Sequence, residues 1–234
     1  MRVCLSILTF FLFFSSFAQE EVAEFKVIDS LYREDQFYIN FTYNSLRTTP
    51  DGLKQTKFSP GFSLGFLRDI PINKNRTYAF AVGLGYTMSV YKHNLYTYQT
   101  DNPDGSSKNN YEIISSDIYY AKNKQSQHFI ELPIEFRWRT STPNSHMFWR
   151  IYTGFKMSYL VGDTYKFVND IQTITINKNA DFNKIQYGCY LAAGWNTWNF
   201  YAYYGLSPLY KSAEINGEKI RMNTFNIGLQ FYIL

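Results

Sequence analysis

The chain has 234 residues, a formal net charge of +4 and two cysteines. Cys4 lies in an N-terminal apolar run, so Cys189 is left alone and neither an intrachain disulfide nor a cysteine-built zinc or redox site can form. So mild a charge excludes the basic footprint of a nucleic-acid binder, while 20% aromatic residues at a mean hydropathy of −0.31 match strands that are apolar on one side and polar on the other.

Residues 1–18 read as a secretory signal peptide. Arg2 gives the positive start, Leu5 to Phe14 the apolar run, and Ser16-Phe17-Ala18 the small-x-small cleavage site. Residues 19–35 form a polar leader holding Glu20, Glu21, Glu24 and Lys26, expected in the periplasm. Beyond the signal peptide no apolar run approaches the ~18 residues of a membrane-spanning helix. Residues 36–234 are expected to be one domain.

That domain reads as strands. From Phe37 to Leu46, Phe37, Ile39, Phe41 and Tyr43 share one face and Tyr38, Asn40, Thr42 and Asn44 the other. A polar loop with the turn signal Pro50-Asp51-Gly52 follows. From Phe58 to Ile70 the apolar face carries Phe62, Leu64, Phe66 and Ile70, and Asp69 falls on the polar face. Arg68 shares the apolar parity near the strand end, where its long stem lets the charge snorkel. After a short turn, Tyr78 to Val90 alternates most cleanly, with Ala79, Ala81, Gly83 and Gly85 as small inward residues that leave room for neighbours' long side chains.

Lys92 to Gln127 reads as a long hydrophilic connection. Its tract Asp101-Asn102-Pro103-Asp104-Gly105 is read as a turn in preference to a calcium loop, and its tyrosines 96, 98, 111, 119 and 120 as an extended hairpin or a contact surface.

The stretch His128 to Gly162 is a hairpin with a tight turn. Ile130, Leu132, Ile134, Phe136 and Trp138 face one way, opposite Glu131, Pro133, Glu135, Arg137 and Arg139. On the return strand, Trp149, Ile151, Phe155, Met157 and Tyr159 oppose Arg150, Tyr152, Gly154, Lys156 and Ser158. An apolar face this long matches a bilayer crossed at a tilt. Pro133 cannot donate to a ladder and is expected to sit at a bulge.

Asp163 to Asn183 reads as a polar loop. Strands follow over Lys184 to Trp195, Trp198 to Leu206 and Asn223 to the end, the last two joined by a loop whose tip, Asn216-Gly217, suits a type I′ turn.

The sum is an all-β fold: an eight-stranded antiparallel up-and-down transmembrane β-barrel. Connections alternate long and short, as in outer-membrane barrels with long external loops, short periplasmic turns and a periplasmic N-terminus. Trp138, Trp149, Trp195 and Trp198 all flank short turns and are expected to form a periplasmic aromatic girdle. The inward charges Asp69, Glu131, Glu135, Arg137, Arg139, Arg150 and Lys156 are expected to form a salt-bridged plug, since eight strands enclose little more than their own side chains. A soluble, lipocalin-like barrel would need the opposite facing.

His93, His128 and His146 are the available bases, with Ser126 near two of them, but no motif ties a nucleophile to an orienting group. The chain is therefore read as no enzyme, with no cofactor and no metal site.

The string IELPIEFRWR, Ile130 to Arg139, resembles a strand motif of small Bacteroidota outer-membrane barrels. Three longer strings, Asp29 to Ile39, Phe58 to Arg76 and Phe136 to Lys156, resemble the PorT family. The resemblance implies a barrel in the outer membrane of a Gram-negative bacterium. Its expected partners are outer-membrane lipid and other components of type IX protein secretion, which it would support without chemistry of its own. The alternative is a stand-alone structural or ligand-binding porin-like barrel.

Overall fold

The computed structural model describes residues 35–55, 57–103, 105, 107–140 and 148–233. The expected signal peptide, the leader before Asp35, residues 141–147 of the central turn with His146, Asp104 and Leu234 lie outside them.

Among the described residues thirteen strands follow in order: β1 (Gln36–Arg47), β2 (Pro60–Pro71), β3 (Tyr78–Lys92), β4 (Leu95–Asp101), β5 (Ser107–Ile113), β6 (Lys122–Arg139), β7 (Trp149–Val168), β8 (Thr173–Asn177), β9 (Ile185–Trp195), β10 (Trp198–Gly205), β11 (Glu214–Ile215), β12 (Glu218–Lys219) and β13 (Asn223–Ile233). The eight long ones form a ring, β1-β2-β3-β6-β7-β9-β10-β13, antiparallel throughout. The ring closes where β13 returns to β1, from Phe37 opposite Ile233 to Arg47 opposite Asn223. Each of the eight has a partner on both sides. That is what a sheet in lipid requires, because an unpaired backbone group there costs several kcal/mol.

Sidedness follows the alternation of each strand. Phe136 and Phe155 are 38% and 41% exposed on the outer wall, whereas Arg137 and Lys156 are 0% and 6% exposed inside. Outward rings pack along the wall: Phe41 lies 5.4 Å from Phe62 and 6.2 Å from Phe231. Arg68 points outward at the end that holds the short turns and pairs with Asp35 at 2.7 Å. The four tryptophans lie at that same end. Trp195 pairs with both Trp149 and Trp198 across its strand neighbours, and Trp138 pairs with Tyr78 and Ile151.

The structure departs from the expectations in three places. The bulge is not at Pro133. It falls between His128 and Phe129 of β6, where Val161 is the unpaired extra residue of β7. Pro133 is accommodated by a gap: the β3–β6 ladder stops after Val82–Ile134 and resumes in the same register at Gly85–Glu131. A lost rung suffices because only one amide donor is missing.

Second, β6 starts at Lys122 and β7 runs to Val168, so two stretches read as loop are strand. The bulge reverses the facing of β7, and Asp163, Tyr165 and Phe167 turn inward beyond it. Third, the long third connection contains a separate two-stranded sheet, β4–β5, and β8 pairs with the extension of β7. The β11–β12 tip has positive φ at Asn216 (52°) and Gly217 (82°), as a type I′ turn demands.

Candidate functional site

The interior is built from inward positions of all eight ring strands. Toward the turn end, Asp69 of β2 meets two guanidinium groups of β6. Arg139 Nη1 and Nη2 donate to Oδ1 and Oδ2 at 2.9 and 2.8 Å, and Arg137 Nη1 donates to Oδ1 at 2.9 Å. Arg137 Nε also donates to Glu135 Oε2 at 2.8 Å. The other oxygen of Glu135 accepts from the hydroxyls of Tyr190 (2.9 Å) and Tyr232 (3.1 Å). Closer to the loops, Lys156 Nζ pairs with Glu131 Oε1 at 2.9 Å and lies 4.5 Å from the centre of the Tyr203 ring.

Arg150 is the exception among the seven charges. No carboxylate pairs with it among the described residues. Its guanidinium lies against Phe148 (4.5 Å), Tyr232 (5.2 Å) and Tyr152 (5.7 Å). Cation–π contact of this kind is worth about 2 kcal/mol when desolvated, so it offsets part of the burial cost.

The tyrosines complete the fill. Tyr38, Tyr152, Tyr190, Tyr201, Tyr203 and Tyr232 form one cluster with Leu67, Ala81 and Ala192. Glycines on the adjacent strands admit the rings. A Cβ on Gly65 would stand 2.6 Å from Tyr38, one on Gly154 would stand 2.6 Å from Tyr190, and one on Gly188 would stand 2.7 Å from Tyr203. Two voids beside Glu131 and Lys156 are about 10 and 20 Å³, room for a water apiece and for no file of them.

A second cluster closes the loop end. Leu46 and Leu53 from the β1–β2 side, Leu95, Tyr111 and Ile113 from the β4–β5 hairpin, Phe182, and Leu209, Tyr210 and Ile220 from the last long loop pack over Phe129 and Leu160. Polar ties hold it. The Tyr111 hydroxyl donates to Asp181 at 2.8 Å, and Tyr210 donates to Gln125 at 3.1 Å. Burial pushes the Tyr111 and Tyr210 hydroxyls well above the usual phenol range. His93 is buried at the edge of this lid and accepts from the Leu95 amide at 3.2 Å. Burial pulls its imidazole down to about 4.

The interior tyrosines and the lid escaped the sequence reading as a unit. Tyr38, Tyr190 and Tyr232 stood at inward positions, and that parity was the available signal for the first. The lid leaves no comparable trace, since its apolar residues are scattered singly through four connections. Tyr111 is consumed by the lid, while Tyr96 and Tyr120 pack on Phe167. Tyr119 stays 71% exposed. The histidines are spread: His128 bonds the outward Tyr86 hydroxyl, away from His93 in the lid. Among the described residues, no three His, Cys, Asp or Glu side chains are grouped to hold a metal ion.

No curated protein matches the sequence. Two solved structures of Ail, the attachment invasion locus protein of Yersinia pestis, are similar. One is a complex with the heparin analogue sucrose octasulfate. Both align with a TM-score of 0.42 at 12% and 13% identity, over 87% of this chain and 100% of theirs. A porin of Rh. blastica aligns with a TM-score of 0.15 at 11% identity, over 86% of this chain and 100% of its own. Residues 17–211 match the family described as outer membrane protein beta-barrel domain. That match spans most of the chain, and the chain belongs to this family.

Proposed function

We propose that this barrel is a closed, non-catalytic accessory component of type IX protein secretion that works through contacts of its loops and outer wall. The observation that carries the reading is the filled interior. Ion pairs and tyrosines occupy the lumen and a packed lid lies above it, so surfaces are what the molecule has to offer a partner. The specific pathway rests on the PorT resemblance. Two of its strings, Phe58 to Arg76 and Phe136 to Lys156, contain Asp69, Arg137, Arg139, Arg150 and Lys156, so they cover much of the interior charge. In this reading the N-terminus and the tryptophan end are periplasmic and the lidded end faces outward.

Gene deletion tests it. Loss of type IX cargo from the medium, restored by the wild-type gene, is the expected result. Unchanged export would overturn the proposal and leave a stand-alone structural barrel. Crosslinking before mild-detergent purification should then recover another secretion component with the tagged protein.

A further inference from the structure

Three lysines form an unbroken row across the outer wall at the loop end. Lys92 of β3 pairs with Lys124 of β6, and Lys124 pairs with Lys166 of β7. All three have outward parity. On β3 and β6 it is set by the wall residues Tyr86 and Ile130. On β7 it is set beyond the bulge, where Tyr165 and Phe167 face in. Directly opposed side chains in an antiparallel sheet have Cβ atoms about 5 Å apart, and like charges so placed repel. None of the three has a carboxylate partner among the described residues, and the outward neighbours in the adjoining rows are Val90, Ser126 and Thr164 on one side and Lys122 and Val168 on the other. Nothing acidic relieves the row.

Its height is informative. On β6, Lys124 lies fourteen residues from Trp138. At ~3.4 Å per residue and a tilt near 40°, that is about 36 Å along the barrel axis. The hydrocarbon core is ~30 Å thick. With Trp138 at one interface, the lysines stand just past the other, among headgroups. Below them, the wall of the same three strands is indented by an apolar groove of about 220 Å³ lined by Leu84, Ile130, Leu132, Met157, Tyr159 and, from β9, Ile185. Ile130 is six residues from Lys124 on β6, about 15 Å along the axis by the same reckoning, so the groove opens within the hydrocarbon of that leaflet.

We propose that the β3–β6–β7 wall binds a phosphorylated, acylated lipid, with its phosphate on Lys92, Lys124 and Lys166 and an acyl chain in the groove beneath. Unpaired cations at headgroup height supply the phosphate site, and the groove distinguishes a lipid from a soluble phosphate. The inference rests on the membrane barrel and, for lipid A, on the lidded end facing outward as proposed above; it is independent of any role in secretion.

The test uses the full chain in mild detergent, titrated with lipid A, with phosphatidylcholine and with inorganic pyrophosphate, and bound molecules counted by native mass spectrometry. Lipid A should be retained well above phosphatidylcholine. The triple variant K92Q/K124Q/K166Q should bind it roughly a hundredfold more weakly, the combined effect expected of three cations beside an anionic lipid surface. L132W, which fills the groove, should weaken lipid A and leave pyrophosphate unaffected. Replacing lysines elsewhere on the loops, K108Q/K178Q/K219Q, should change nothing. Heat-modifiable gel mobility checks that each variant is folded. As a reading independent of binding, K124Q alone should raise the melting temperature in phosphate-free detergent, because it relieves repulsion. Equal lipid A retention by the triple variant overturns the site. Pyrophosphate displacing lipid A at equal concentration overturns the lipid and points to a soluble phosphate.

Discussion

Arg139 grips Asp69 with two parallel hydrogen bonds, at 2.9 and 2.8 Å, where both side chains are wholly shielded from solvent. The same carboxylate also receives Arg137. Neutralising it in D69N leaves buried guanidinium charge without its anion, which typically costs 3–5 kcal/mol. The Arg68–Asp35 pair makes a single contact at 2.7 Å and is half open to solvent, and exposed pairs contribute about 1 kcal/mol or less. Urea unfolding in lipid, followed by gel mobility, should therefore separate D69N from R68Q by at least about 2 kcal/mol. Equal midpoints would contradict the assignment of the interior network.

Gly85 faces the Tyr38 hydroxyl so closely that a Cβ there would collide with it. G85A should lower stability by about 1–3 kcal/mol through overpacking, and Y38F should recover part of that by removing the oxygen. Gly162 has open space around it, so G162A should be close to neutral. The readout is a double-mutant cycle on the unfolding midpoint.

The barrel is expected to carry no ionic current. The lid and the tyrosine layer are separate obstacles, so replacing residues 95–113 with a short linker should leave planar bilayers silent. Combining that change with alanine at Tyr38, Tyr190 and Tyr201 should produce steady conductance. Current from the wild-type chain, or from the linker variant alone, would show that the interior fill does not seal.

Acidification should loosen the lid. His93 titrates near 4 when buried, against an ordinary value of 6.5. The unfolded chain therefore takes up a proton that the folded one refuses, and stability falls as pH drops from about 6.5 to about 4, by up to roughly 3 kcal/mol. H93Q isolates the histidine. The protection of the Leu95 amide, corrected for the intrinsic pH dependence of exchange, should fall at pH 5 in the wild type and stay constant over this pH change in the variant.

How much of this was legible depends on which side of a strand was greasy. β3 could be read residue by residue, because Tyr78, Phe80, Val82 and Leu84 alternate with alanine and glycine. The start of β6 could not, because Lys122, Asn123, Lys124 and Gln125 are polar on both faces and leave no contrast. The end of β7 was hidden by the extra residue at Val161, which reverses facing just where the composition turns polar. For the interior, parity placed the charges on one side, but register decides who meets whom. Asp69 reaches β6 across β3 only because Ala79 and Ala81 between them are small and the arginine stems are long. Pro133 was misjudged because a bulge and a skipped rung solve the same missing donor, and the gap opposite Gly83 and Leu84 is the solution found.

The pairing of β1 with β13 sets a timetable for biogenesis. Tyr38 and Tyr232 are neighbours in space but belong to the first and last staves of the cask, so the wall stays split until the final segment has been made and delivered. Contacts so remote in sequence form slowly. Until then two raw strand borders and a greasy exterior are open to mispairing, and the chain must be escorted to its bilayer before the seam can knit.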